Sequence, residues 1–253
     1  MPYLHFQQDS TVGSCGCGSD CGCSKSANTT FLGQPSAPTQ STAAAFRFQC
    51  LPGCAPHAAN QCRAIVRRAV RGAIQLAENA ASRLEARNNH ALGRFRTYFG
   101  DPLRPVPWAN NQLAADLVAY RFRAAAHGFR TRVPHIRCAV VGPGVTDCRS
   151  ATANALVRPR QAPSAALPLP RNTIFLCPPF WGMAPHLRAG VVLHEMLHLL
   201  FWEFFGHHAN LPRPGDPEER RRDNSHCYEA FALEAAGRAP VQGDIDACEA
   251  RPF

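Results

Sequence analysis

The run from His194 to His198 holds the residues of this chain whose types and spacing could do chemistry. It reads H-E-x-x-H, inside an apolar stretch from Val191 to Phe205 that is long enough for a helix. Histidines four positions apart lie on one face of a helix, so both imidazoles can bind one metal ion. Glu195 can then act as general base toward a water that the metal activates. The pattern predicts that His194 and His198 are Zn²⁺ ligands and that the protein is a zinc hydrolase, most simply a peptidase.

An amphipathic core helix that matches the pattern by chance is the alternative interpretation. Apolar neighbours predict that the three polar side chains are at least half-buried; they are Val191, Val192, Leu193, Leu197, Leu199 and Leu200. Burying an imidazole or a carboxylate is costly unless a partner satisfies it, and a metal ion does so. The expected burial therefore favours the metal site.

Periodic apolar residues predict the helices that must position this site. The predicted helices run from about Asn60 to Arg87, Asn110 to Ala125, Leu187 to Phe205 and Asn224 to Ala236. Between the first two, the aromatic segment from Phe95 to Pro102 ends in a turn. Gly206 is the expected end of the metal-binding helix, and a loop follows from His207 to Asp223. The remaining residues wrap back, with Cys248 as a tether.

Short β-branched runs predict a small sheet in the middle of the chain. The expected strands are 132–141, 151–157 and 172–177, with a turn at 142–144. The predicted fold class is therefore α+β and predominantly helical, with a small sheet, an active-site helix and a closing helix.

A third ligand is expected because catalytic zinc usually has three protein ligands and one open position. The metzincin continuation requires glycine at position 201 and histidine at position 204, and phenylalanine at both excludes that class. The downstream candidates are Glu203, His207, His208, Asp223, His226 and Glu229. The first three follow the helix too closely to fold back easily, and Asp223 is more simply a helix N-cap.

The segment from Asp223 to Ala232 resembles the one that completes the zinc site of the aspzincin (deuterolysin-like) metalloendopeptidases. Many bacterial members read Asn-Ala-Asp-Ser-Tyr there, followed by a helix that contains an aromatic residue. The matching positions are Asn224, Tyr228, Phe231 and Ala232. His226 stands where the family has its ligand aspartate.

The resemblance extends over about residues 50 to 237. It covers the alanine-rich first helix, the Tyr98–Gly100 segment, the Cys138/Cys148 pair, the strand from Ile174 to Pro178 and the H-E-x-x-H motif. It implies a zincin-like fold and a zinc endopeptidase. The two cysteines flank a predicted turn and could be bridged across it.

Carried over to this chain, the resemblance makes His226 the third zinc ligand. Replacing a ligand aspartate by histidine keeps a competent ligand but removes one negative charge, which should make the bound water more acidic. Glu229 is the alternative ligand, or it orients a ligand histidine from outside the metal shell.

Tyr228 matches a tyrosine that the family is thought to use to stabilise the developing oxyanion, which is a role a hydroxyl donor can fill. On a regular helix, however, positions 226 and 228 point to nearly opposite sides. The resemblance therefore implies a catalytic Tyr228 only if His226 precedes the helix. A core tyrosine is the alternative.

Residues 1–45 are rich in glycine, serine, threonine and proline and predict a flexible tail, with the metallopeptidase domain at residues 46–253. The tail carries the pattern C-x-C-x-x-x-C-x-C, formed by Cys15, Cys17, Cys21 and Cys23. Four thiolates can bind a soft ion such as Zn²⁺ or Cu(I), so this cluster predicts either a second metal site or a tether.

Twelve cysteines, eight of them spread through residues 50–248, predict disulfide bonds and an oxidising destination. The segment from Met1 to Asp9 lacks the basic start and apolar middle of a Sec-type signal peptide. We therefore expect secretion by a route without such a signal, with a cytoplasmic location as the alternative.

The net charge of +9 comes from 26 arginines and one lysine that are scattered along the chain. Nucleic-acid binding would require a basic stripe with interleaved aromatic residues, so we expect no nucleic-acid partner. The longest apolar stretch is interrupted by histidines and glutamates, and we expect no membrane span.

A zinc-dependent endopeptidase acting on peptide or protein substrates is the function that these patterns predict. Glu195 is the predicted general base, and zinc the expected cofactor. The alternatives are a non-catalytic, zinc-stabilised binding or effector module and hydrolysis of another amide. A closed site, in which Glu229 or Cys227 fills the water position, would favour the module.

Overall fold

The computed structural model describes residues 46–49, 57–131, 134–138, 155–158, 173–201 and 218–248, and of residues 155–158 it describes the backbone. All of them belong to one compact unit, Ser41–Phe253. They form mostly helices and a small sheet, so the predicted α+β, predominantly helical class is confirmed. The predicted tail, with its four cysteines, lies outside these residues. None of the described helices is long and apolar enough to cross a membrane.

Eight helices and six strands follow one another along the described part of the chain. They are β1 (Arg47–Gln49), α1 (Ala59–Glu85), α2 (Asn89–Phe99), β2 (Pro105–Val106), β3 (Gln112–Leu113), α3 (Ala114–Thr131), β4 (His135–Cys138), β5 (Ala155–Arg158), β6 (Thr173–Leu176), α4 (Pro178–Gly182), α5 (Pro185–Phe201), α6 (Glu218–Arg222), α7 (Ser225–Ala235) and α8 (Gln242–Cys248). A single 3₁₀ turn, Pro107–Ala109, connects β2 to β3. The helices pack on one another around a core to which α1, α3, α5 and α7 all contribute.

The first predicted helix is confirmed by α1, whose apolar positions are buried along its whole length. The sequence did not predict α2, which occupies most of the expected aromatic segment. Asn88 caps this helix, because its side chain accepts a hydrogen bond from the N–H of Ala91 at 3.1 Å. Asn89, His90 and Gly93 are poor helix formers, which obscures the helical pattern in the sequence.

The second predicted helix is α3, which begins four residues later than expected and extends six residues further. Its expected start is occupied by Asn110 and Asn111, which have positive φ angles of 54° and 57°. These residues bring β3 back against β2 in an antiparallel pair. Asparagine tolerates the left-handed conformation better than most residues, so the turn is encoded locally.

The sheet has the strand order β1-β4-β6-β5. The first three strands are parallel, and β5 pairs antiparallel with β6. β4, β5 and β6 confirm the predicted strands within the described residues, whereas β1 was not predicted. The predicted turn at 142–144 and residue Cys148 lie outside the part of the chain that the structure describes.

The predicted metal-binding helix is α5, which begins at Pro185 rather than Leu187. Proline is tolerated at the first helical position because its missing N–H would have no helical partner there. A Cβ atom at Gly72 of α1 would lie only 2.8 Å from Cβ of Ala189 in α5. This glycine therefore allows α1 and α5 to approach closely. The expected end at Phe205 and the stop at Gly206 lie outside the described residues.

The C-terminal helices correct two predictions. The expected loop from His207 to Asp223 is wrong over Glu218–Arg222, which forms α6. The N-cap of α7 is Asn224 and not Asp223, because the Asn224 side chain accepts a hydrogen bond from the N–H of His226 at 2.9 Å. The predicted tether at Cys248 is confirmed, since a disulfide joins it to Cys227 and holds α8 against α7.

Candidate metal centre

The two histidines of the H-E-x-x-H motif converge at the C-terminal part of α5. Nε2 of His194 and Nε2 of His198 lie 3.1 Å apart, and their ring centroids are 4.9 Å apart. His194 is buried and His198 is half-buried, as the apolar flanks predict. The helical spacing therefore brings two imidazole nitrogens to one point.

Ser225, the first residue of α7, lies at the same point. Its Oγ is 2.8 Å from Nε2 of His194 and 2.8 Å from Nε2 of His198. The sequence analysis did not identify this residue. Its position beside the candidate ligand His226 was the only sequence feature that pointed to it.

His226 approaches the pair from α7. Its ring centroid lies 4.4 Å from that of His194, with the two rings nearly perpendicular. Nδ1 of His226 lies 3.1 Å from Oδ1 of Asp244 in α8. His194 therefore contacts both other histidines that were predicted as ligands, although 28 positions separate His198 from His226 in the sequence.

Glu229 is the fourth polar side chain of the cluster and is buried one helical turn beyond His226. Its Oε2 lies 3.1 Å from Nδ1 of His194. Burial, reinforced by the negative charges of Asp244 and Glu195, raises the pKa of Glu229 well above its usual value. In this environment a nearby cation would favour the ionised carboxylate.

The cluster has the donor chemistry of a metal site. One donor atom each from His194, His226 and Glu229 lie within 4.8 Å of one another, and this buried group could hold a metal ion. Burial, together with His226 and His198, depresses the pKa of His194 well below its usual value. A neutral imidazole is the form that binds a metal, so the residues fit such an ion.

Two ligand sets are compatible with these contacts. Both contain His194 and His226, and they differ in whether His198 or Glu229 is the third ligand. Glu229 faces Nδ1 of His194, whereas His198 faces Nε2 of the same ring. A carboxylate on one ring nitrogen usually orients a histidine whose other nitrogen binds the metal.

Glu195 lies beside this cluster with only 6 % of its surface exposed. Burial raises the pKa of its carboxyl group to about 8. Its negative charge also contributes to the raised pKa of Glu229, which places the two acids in the same environment. Glu195 is therefore a buried titratable group next to the candidate ligands.

Tyr228 is a core residue with no exposed surface. Its ring lies 5.0 Å from Phe99 and 5.2 Å from Phe122, and its hydroxyl lies 3.0 Å from a guanidinium nitrogen of Arg121. His226 is inside α7, so positions 226 and 228 are about 200° apart around the helix. The condition for a catalytic Tyr228 is therefore not met, and the structure favours the core interpretation.

Arg121 of α3 supports the start of α7 and was missed by the sequence analysis. Only 2 % exposed, it donates to the carbonyl of Arg222 at 2.6 Å and to Oδ1 of Asp223 at 2.8 Å. These contacts fix the turn that precedes Ser225. The sequence did hold a sign of its burial, because position 121 shares the spacing of the buried Leu117 and Ala125.

The remaining candidate ligands are placed elsewhere or lie outside the described residues. Asp223 pairs with Arg121, and Cys227 is in a disulfide, so it cannot fill a metal position as a thiolate. Glu203, His207 and His208 lie outside the part of the chain that the structure describes.

No protein-family model matches this chain, and no curated protein matches it. Neither comparison therefore supports the resemblance of the segment around His226 to the aspzincins, which depends only on the matching sequence positions.

Proposed function

We propose that this protein is a zinc-dependent endopeptidase with a zincin-like, aspzincin-related site in which histidine replaces the ligand aspartate. The contact of His194 with His198 on its own helix and with His226 on a helix distant in sequence is the observation that carries the proposal. Imidazole nitrogens are ligands that suit zinc, and three protein ligands leave one position open for water.

In this proposal the three histidines hold zinc, and Glu229 orients His194. Zinc, when bound, supplies a Lewis acid that acidifies water and polarises the carbonyl of the substrate. Glu195 accepts a proton from the attacking water on a carboxylate oxygen and passes it to the leaving amine. Its raised pKa in the metal-free site falls again when a cation is nearby, which restores the basic carboxylate.

The test is cleavage of a mixed peptide library by purified protein that carries one equivalent of zinc, read by mass spectrometry. Glu195→Gln should keep the zinc and lose cleavage by about 10²- to 10⁴-fold, the usual contribution of a general base. Glu85→Gln is the matched control, because Glu85 is an exposed carboxylate paired with Arg123. A zinc-loaded wild type that cleaves no peptide would refute the proposal, as would a Glu195→Gln variant of unchanged rate.

A non-catalytic, zinc-stabilised binding module is the second candidate. A carboxylate oxygen of Glu229 lies near donor atoms of both His194 and His226, so Glu229 would fill the water position if it moved to the side of the His194 ring that faces His198. The cobalt-substituted protein separates the two candidates. Acetohydroxamate should change its visible spectrum if one coordination position is open, and should leave the spectrum unchanged if all four are filled by the protein.

We also propose that the protein works in an oxidising compartment outside the cytoplasm. Cys227 and Cys248 form a disulfide, and Cys138 and Cys177 are each disulfide-bonded as well. Disulfides persist in secreted proteins and are rare in the cytosol. Alkylation of the unreduced protein purified from its source should leave these four cysteines unlabelled, and their labelling would contradict export.

A further inference from the structure

Asp244 makes a contact with the metal cluster that the sequence patterns did not indicate. Its Oδ1 lies 3.1 Å from Nδ1 of His226, and only 9 % of its surface is exposed. It belongs to α8, 18 residues beyond the histidine. We infer that Asp244 is a positioning residue for His226, an inference that depends on the metal site of the proposed function.

The physical basis is the choice between the two tautomers of a neutral imidazole. A carboxylate that accepts a hydrogen bond from Nδ1–H leaves the lone pair on Nε2, fixes the ring orientation and raises the basicity of the ligand. Glu229 stands in the same relation to Nδ1 of His194. Two of the three histidines therefore have a buried carboxylate behind them.

The disulfide holds Asp244 in place. Cys227 follows His226 directly in α7, and Cys248 lies four positions after Asp244, so it shares one face of α8 with the aspartate. The Cα atoms of the two cysteines are 5.4 Å apart. The covalent bond therefore keeps the face of α8 that carries Asp244 against the start of α7. The partner of His226 is therefore Asp244 of the short helix α8, which the disulfide joins to α7.

The experiment measures the dissociation constant of Zn²⁺ by competition with a chromophoric chelator, in the full-length oxidised protein. Asp244→Ala should weaken zinc binding by about 10- to 100-fold, the usual effect of removing such a partner. Asp244→Glu should restore part of the affinity, because it keeps a carboxylate in reach. Asp116→Ala, which removes a half-buried carboxylate paired with Arg87 and outside the metal cluster, should bind zinc like wild type.

A purely structural role predicts a different result. It would lower the unfolding midpoint of the metal-free protein without changing the zinc affinity of the folded fraction, and this outcome overturns the inference. If wild type itself binds no zinc, both the inference and the proposed function fail. If zinc binds and depends on Asp244 but no peptide is cleaved, only the proposed activity fails.

The disulfide between Cys227 and Cys248 allows a second, independent test of the inference. The double variant Cys227→Ser/Cys248→Ser should lose zinc affinity in the same direction as Asp244→Ala. The variant with all three substitutions should then lose less zinc-binding free energy than the sum of the two separate losses, because both changes act on the contact between Asp244 and His226. Additive losses would show that α8 does not act through Asp244 and would overturn this part of the inference.

Discussion

Oε2 of Glu229 lies 3.1 Å from Nδ1 of His194, across the imidazole from the nitrogen that faces His198. This relationship gives the two ring nitrogens of His194 different neighbours. In the proposed metal site, an ionised Glu229 accepts a hydrogen bond from the nitrogen that faces it, and the nitrogen that faces His198 keeps its lone pair for the metal. Under that proposal Glu229 orients a ligand, and the alternative is that Glu229 binds the metal itself.

The first prediction separates the two ligand sets by metal content. His198→Ala should lose stoichiometric zinc after dialysis, because a ligand has been removed. Glu229→Gln should retain zinc and bind it about 10- to 100-fold more weakly, because the amide still accepts a hydrogen bond but carries no charge. Inductively coupled plasma mass spectrometry of the dialysed proteins measures both. Zinc loss in Glu229→Gln combined with zinc retention in His198→Ala would reverse the assignment.

The second prediction concerns pH and the metal-free protein. The pKa of Glu195 is about 8 in the folded chain and near 4.5 when unfolded, so between these values the folded state binds more protons. Stability from this group is therefore lost as the pH rises from about 4.5 to 8. Wild type should lose stability relative to Glu195→Gln over that range, measured by chemical denaturation with a chelator present.

His194 acts in the opposite sense in this experiment, because its pKa is depressed in the folded state. It destabilises the fold as the pH falls below about 6.5. Both proteins share this effect, so the difference between them reports the titration of Glu195 and its influence on the pKa of Glu229. A difference that stays constant from pH 5 to pH 8 would contradict the raised pKa.

The third prediction tests how Arg121 supports the turn before α7. Arg121→Met should destabilise the protein by about 2 to 4 kcal/mol, because Asp223 and the Arg222 carbonyl lose a charged hydrogen-bond donor in a largely buried place. Arg123→Met removes an exposed ion pair with Glu85 on the same helix and should cost at most about 1 kcal/mol. Urea denaturation gives the free energy of unfolding of both variants. Equal losses of stability would show that Arg121 does not support the turn before α7 more than a surface arginine would.

The fourth prediction uses two glycines inside helices. Gly72→Ala should destabilise the protein by about 1 to 3 kcal/mol, because the new methyl would meet Cβ of Ala189 at 2.8 Å and force α1 and α5 apart. Gly93→Ala in α2 meets nothing within 4 Å and should stabilise by about 0.5 to 1 kcal/mol. Thermal unfolding of the two variants should shift in opposite directions.

Local patterns in the sequence were sufficient to predict α1, α5 and α7, with ends correct to within about two residues where the structure describes them. They also identified the polar side chains of α5, because helical periodicity is read directly from spacing. β1 and α6 were missed, since such short elements form only against distant partners. Asp244 could not be predicted for the same reason, because its role depends on the fold of α8 against α7.

Gly190 offers a consequence for recognising relatives of this chain. A Cβ there would lie 2.8 Å from Oε1 and 3.1 Å from Cγ of Glu229, so the acid occupies the space that a side chain at this position would need. Glycine four residues before the first motif histidine and glutamate three residues after His226 should therefore change together during evolution. A homologue with alanine or larger at the first position should carry a shorter residue, such as aspartate, at the second. The paired signature G-x-x-x-H-E-x-x-H and S-H-x-x-E is the pattern with which to search genomes for further members.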